Sequence, residues 1–306
     1  DVQIRGFKLR LPLDILFVFT ANPEDYTNRG SIVTPLKDRI ESQILTHYPK
    51  SIENALEITE QEAVISEEQQ SKVKVSDLVK RLIEQVAFEA RSSELVDKKS
   101  GVSARLTISA FENAVSTAER RAVINNEKQT QVWIGDLSGI IPSITGKVEL
   151  VYEGEQEGPY QVAMNLLDKA FRTLFIQYFP NPDTLKKRRN SAKPSQQEKE
   201  EENPYRPITH WFDKGNHLNI SFNTTDKDKT LLLYKVDGLH ALVKKFFPRA
   251  NEAETALLME FVLHGLASYS LISKKIFESK IEFKDLIGSM MNLGNKDYEE
   301  EFDEEA

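Results

Sequence analysis

The sequence contains no cysteine. Disulfides, zinc–thiolate sites and thiol nucleophiles are therefore excluded; such a chain suits a cytoplasmic setting, and a secreted cysteine-free protein would look the same. A glycine-rich phosphate cradle is also missing. The nearest approach is Gly146-Lys147, but Val148 stands where a P-loop needs serine or threonine. No apolar strand ends in the acidic pair that would hold magnesium. There is no His-Glu-x-x-His helix, EF-hand loop or Gly-x-Ser-x-Gly elbow either. No apolar run approaches the roughly 18–20 residues that cross a bilayer, and no signal peptide is seen.

What is present is an ordinary globular composition. The 306 residues are 40% apolar, enough for roughly two domains with buried cores. The net charge is −8, and much of it lies in two acidic runs, Glu198–Glu202 and Asp297–Glu305. That balance argues against nucleic acid as a partner. The chain opens on Asp1 and enters strand-like sequence at once, which reads as a start inside a longer protein.

Apolar and polar residues alternate over Val2–Leu13, with Gly6 placed to turn between two short arms. Ile15–Phe19 is an unbroken apolar run. It predicts a strand buried on both faces, as in a parallel sheet, ending at Thr20-Ala21-Asn22-Pro23. Beyond it the sequence is helical. Val75, Leu78, Val79, Leu82, Ile83, Val86 and Ala90 follow helical spacing, and so do Ile108, Phe111, Val115, Ala118 and Ala122. Ser66 and Gln69 have capping-box spacing, and Asp136 is placed to cap a short helix carrying Leu137, Ile140 and Ile141. Pro159 suits a first helical turn leading into Val162–Tyr178.

Residues 183–203 hold Lys186-Lys187-Arg188-Arg189, then serine, proline, glutamine and glutamate, and read as a solvated linker. Residues 204–293 read as a second helical unit, strongest over Leu231–Phe247 and Leu257–Ile272. Residues 294–306 are an acidic tail. His210, Asp213 and His217 have a two-turn spacing, but Gly215 interrupts a helix there, so ordinary polar packing is expected. Trp211, Phe212 and the stripe Leu257, Leu258, Phe261, Val262, Leu266 and Tyr269 read as core.

Three motifs stand in order. Leu16-Phe17-Val18-Phe19-Thr20-Ala21-Asn22-Pro23-Glu24 resembles the sensor-1 strand of AAA+ ATPases. Pro35-Leu36-Lys37-Asp38-Arg39-Ile40 resembles the segment that carries their arginine finger. Gly101-Val102-Ser103-Ala104-Arg105 resembles their sensor-2 helix start. The pattern is similar to the magnesium-chelatase ATPase subunit and MoxR proteins, with Ile40 in place of their usual aromatic. Val2–Leu13 sits where that branch inserts a β-hairpin. The resemblance covers roughly residues 1–145; Thr145–Leu150 continues it without assignable chemistry.

The resemblance implies a mainly α chain: the end of an AAA+ α/β core (residues 1–50, with hairpin, sensor-1 strand and finger helix), a helical lid with an extension (51–182), the linker, and a helical C-terminal domain. It implies that Asn22 orients the attacking water. Arg39 would serve a neighbouring subunit's ATP, and Arg105 would reach the phosphates in its own. ATP and magnesium belong to the full-length parent, and neither is expected to bind this chain tightly. The chain alone is expected to be inactive. The parent would be a cytoplasmic ring that remodels a client or inserts a metal, with a von Willebrand A domain protein as partner. Taken singly, each motif has a plainer meaning: Asn22 closes a turn before Pro23, Arg39 lies on an exposed helix face, and Arg105 is a surface residue. Two other readings stay open, a sigma-54-type activator ATPase and a non-catalytic helical scaffold.

Overall fold

The computed structural model describes residues 2–9, 15–20, 38–98, 101–184 and 203–286. The chain divides into two units, residues 1–47 and Tyr48 onward.

In the first unit, β1 (Val2–Ile4) and β2 (Phe7–Leu9) pair antiparallel, with Val2 opposite Leu9 and Ile4 opposite Phe7. Arg5 and Gly6 between them have φ of 48° and 87°, the positive pair that a two-residue type I′ hairpin needs. The hairpin expected around Gly6 is present. The strand expected over Ile15–Phe19 is not. Residues 15–20 have no regular structure, and their apolar side chains are exposed, Leu16 to 87%. A parallel strand is held by neighbours on its edges, and among the described residues none pairs with this run. Asp38 and Arg39 form a turn, and residues 40–49 form no helix, contrary to the expected finger helix. Ile44 and Leu45 are exposed, and a short helix that buries no face is marginal in water. Asn22 and Pro35–Lys37 lie outside the described residues.

In the second unit, serines start three helices. Ser51, Ser66 and Ser76 cap α1 (Ile52–Glu62), α2 (Glu67–Lys72) and α3 (Asp77–Ser92), each accepting a backbone N–H three residues on. Such a cap contributes about 1 kcal/mol. Gln69 completes the capping box that its spacing predicts. Helical periodicity is realised in α3, in α4 (Arg105–Ile124) and in α7 (Pro159–Tyr178). Leu82, Val86 and Ala90 of α3, Ala110, Ala114 and Ala118 of α4, and Ala170 and Leu174 of α7 are fully buried. Between α3 and α7 lie β4 (Thr130–Gln131), which pairs parallel with β3 (Val73–Lys74), a 3-10 turn (Gly135–Ile140), α5 (Ile141–Thr145) and α6 (Tyr152–Glu157). Asp136 caps no helix. It sits inside the 3-10 turn, and its carboxylate accepts the N–H of Trp133 at 2.9 Å, because buried Arg121 holds it inward.

The remaining elements are α8 (Arg206–Asp213), β5 (Leu218–Ser221), α9 (Asp226–Tyr234), α10 (Leu239–Phe246), α11 (Glu252–Ser268), β6 (Ser273–Ile276) and β7 (Lys280–Lys284). The helix expected over Leu231–Phe247 is two helices. Gly238 breaks it at φ 78°, and a Cβ there would meet Pro207 at 2.5 Å. The strands form an antiparallel sheet in the order β5-β7-β6, with Ile281 between Ile220 and Ile276. No strand is expected there from the sequence. The structure also buries residues on both sides of 183–203 in one core, from Val73 to Phe283. Phe175 of α7 packs on Tyr205 and Phe261 at ring distances of 5.9 and 5.8 Å, and Phe179 packs on Phe247 at 5.5 Å. Pairs of this kind contribute about 0.5–1.5 kcal/mol each beyond area burial. Among the described residues no helix is long and apolar enough to cross a membrane.

One core residue makes stability depend on pH. His264 of α11 is 3% exposed, and neither ring nitrogen has a hydrogen-bond partner among the described residues. Phe171 and Phe283 flank its ring. Burial, helped by the charges of Lys274 and Lys229, holds its pKa well below the usual 6.5. The unfolded chain therefore binds the proton that the fold refuses, and stability falls as pH drops below about 6.5. Between pH 6.5 and 5 one such proton costs at most about 2 kcal/mol. In urea unfolding, His264→Leu should lose less stability than the parent over that interval. Buried Glu84 and Glu260 run the other way: burial raises both, so their contribution is present at low pH and lost as pH rises through their folded values. They cancel in the comparison. An equal acid loss in both proteins would rule His264 out as the cause.

Candidate functional site

Of the residues singled out in the sequence, Arg39 is an exposed turn residue of the first unit, and Arg105 is the exposed first residue of α4 in the second. His210, Asp213 and His217 are exposed. Among the described residues no three histidine or acidic side chains converge on a possible metal seat.

The start of α4 is built with care. Its N-cap, Ala104, offers no side-chain bond, and no acidic residue lies in the first turn. Ser103 Oγ accepts the N–H of Arg105 at 3.2 Å. The Leu106 N–H donates to the Ser103 carbonyl at 3.0 Å, so Ser103 holds both of the first N–H groups, and Arg105 stands exposed at the positive end of a 20-residue helix. Behind it, Gly101 turns the chain at φ 74°. The Val102 N–H donates to the Tyr48 hydroxyl at 3.2 Å, and a Cβ on Gly101 would sit 2.6 Å from that same oxygen. Residues Lys147–Leu150 brace the other side: Val148 bridges to Val102, Leu150 bridges to Val96, and the Ser103 N–H donates to the Lys147 carbonyl at 3.1 Å.

A polar node lies under this turn. Thr59 of α1 donates to Glu84 of α3 at 2.6 Å, and the Thr59 and Thr107 hydroxyls lie 2.8 Å apart, which ties α1, α3 and α4 together. Burial raises the Glu84 pKa, and the Thr59 bond and the charge of Arg91 work against it. Arg91 stacks on the Tyr48 ring at 4.3 Å, and its Nε and Nη1 are buried without a hydrogen-bond partner among the described residues. Sequence reading passed over this node. The available signal was Glu84 itself, a charge among Leu82, Ile83, Val86 and Ala87 on an amphipathic helix.

A second network joins α4 to the later elements. Arg121 is 2% exposed. Its guanidinium donates to Asp226 at 2.6 Å, to Asp136 at 3.1 Å, and to Thr130 and the Gln131 carbonyl at 2.9 Å. Burial alone would lower its pKa, but Asp136 and Asp226 outweigh that and hold the value above the ordinary one. Beside it Glu260 accepts the N–H groups of Ile134 and Gly135 at 2.8 and 3.2 Å and faces Lys229 at 3.6 Å. The guanidinium is matched inside the protein, so this network is an interlock and not a site open to substrate.

These features define a mainly helical protein in which Thr107 ties the exposed start of α4 to a buried polar node. Comparison with known protein families, curated proteins and solved structures gives no match to the chain.

Proposed function

We propose that the chain is the C-terminal part of an AAA+ ATPase like those of the magnesium-chelatase and MoxR branch, working as a ring in the cytoplasm. One observation carries this reading: Arg105 stands exposed at the start of α4, directly after the braced Gly101-Val102-Ser103 turn. ATP supplies the phosphoryl group whose transfer to water drives remodelling of a client or insertion of a metal into it. Arg105 holds the phosphates of its own subunit through charge-assisted hydrogen bonds. Arg39 reaches the terminal phosphate held by a neighbour, and Asn22 orients the attacking water. Such catalysis is mostly positioning and charge stabilisation. The P-loop and its magnesium are carried by a part of the parent outside this sequence. The exposed run Ile15–Phe19 fits the same reading, because a sensor-1 strand is covered by neighbours from the rest of the α/β core. A von Willebrand A domain protein is the proposed partner.

The test is ATP turnover by the parent protein, P-loop included, followed across protein concentration. Magnesium-dependent turnover that rises per subunit with concentration is expected, since each site needs two subunits. No turnover at any concentration would remove the reading and leave a non-catalytic helical scaffold.

A further inference from the structure

Away from the Arg105 helix start, a cavity of about 510 Å³ opens where the end of α7, the start of α3 and the loop between α10 and α11 meet. This volume is in the usual range of small-ligand sites. Leu78, Leu257 and Leu258 are buried and form its apolar side, and Tyr178 and Phe247 supply aromatic walls. The Tyr178 ring is fixed against Phe247 at 5.9 Å and Phe261 at 5.7 Å.

The loop that closes the cavity is preformed. Lys244 Nζ donates to the Ala250 carbonyl at 2.7 Å. Asn251 and Glu254 form a reciprocal capping box at the start of α11, with bonds of 2.9 and 3.1 Å. Little ordering is then left for a ligand to impose.

The polar groups on the rim are not equivalent. Asp77 is neutralised by Arg81 at 2.7 Å. Glu254 is turned toward the N–H of Asn251 by the capping box. Arg249 is exposed and has no ionic partner among the described residues. The Tyr178 hydroxyl also makes no hydrogen bond among them. Burial above all raises its pKa, with the paired charges of Asp77 and Arg81 acting in opposite directions, so it stays a proton donor. The unsatisfied groups are thus a cation and a neutral donor beside an apolar hollow.

We infer that this cavity binds a carboxylate carried on an apolar or aromatic body, with the body on Leu78, Leu257 and Leu258 and the carboxylate on Arg249 and the Tyr178 hydroxyl. A free aromatic acid and the C-terminal residue of a hydrophobic chain end present the same chemistry.

The experiment titrates the protein with 3-phenylpropionate and, separately, with acetyl-Ala-Ala-Phe bearing a free C-terminus, observed by NMR at Leu257, Leu258 and Tyr178. Saturable shifts with Kd on the order of 1 mM or tighter are expected for at least one probe. The matching amides should bind about tenfold more weakly, because a charge-assisted bond to Arg249 is lost. Arg249→Gln, on an exposed residue that the fold does not need, should weaken the acids by about tenfold and leave the amides unchanged. Tyr178→Phe should weaken the acids by a smaller factor. Tighter binding of the peptide assigns the site to a chain end, and tighter binding of phenylpropionate assigns it to a free metabolite. The inference is overturned by an absence of saturable shifts up to about 10 mM, by equal affinity for acid and amide, or by indifference to Arg249→Gln.

Discussion

On the proposed function, Arg39→Ala in the parent protein should lower ATP turnover by roughly 10³–10⁵, the range that an arginine finger commands. The loss should appear in turnover and hardly in ATP affinity, because the guanidinium meets charge that develops in the transition state. Arg39 is exposed, as the proposed role requires. The proposal makes a sharper demand on mixtures. A subunit carrying Asn22→Ala keeps a working finger, and one carrying Arg39→Ala keeps a working site. In a ring assembled from equal amounts of the two, roughly a quarter of the interfaces join a good site to a good finger. Two nearly inactive proteins should therefore recover turnover on mixing, to about that fraction. If mixing restores nothing while each variant still assembles, Arg39 does not act between subunits.

Arg121→Leu should be among the most damaging single changes to the fold of the second unit, costing on the order of 3–5 kcal/mol in urea unfolding. The loss has little to do with the strength of the ion pairs, which largely offset their own desolvation. It arises because Asp136 is left buried without its counter-charge, and Asp226 and Glu127 lose theirs at the rim. Arg121→Lys should recover only part of the loss, since an ammonium cannot reproduce a fork that serves two carboxylates, Thr130 and a carbonyl together. Combining Arg121→Leu with Asp136→Asn and Asp226→Asn should cost less than the sum of the separate changes, as expected for coupled groups. A loss of under about 1 kcal/mol for Arg121→Leu would show the cluster to be solvated and unimportant to stability.

The long helices were legible because burial writes a 3.6-residue period into them, as at Leu82, Val86 and Ala90. The Ser66–Gln69 box was legible because a cap is a local event. The sheet of β5, β6 and β7 was not, although Ile281 and Phe283 alternate with Lys280, Glu282 and Lys284. Four or five residues are too few for a period to stand out between helices. The break at Gly238 was lost inside an apolar run whose spacing continues across it. Arg121 could not be singled out, since periodicity tells which side of a helix is buried but not which distant charge meets it. Asp226 lies over a hundred residues away in the chain. At the candidate site the turn Gly101–Arg105 could be read directly. Its support by Tyr48, Glu84 and Lys147–Leu150 could not, because those contacts exist only once α1, α3 and α4 have packed.

The aromatic contacts that join α7 to the later helices set a timetable for synthesis. Phe175 needs Phe261, which is made about 86 residues later. At 5–20 residues per second, roughly 4–17 s pass before it emerges. For that interval the aromatic side of α7 lacks the partner that covers it in the fold, and such transiently exposed surface is prone to capture by neighbouring chains.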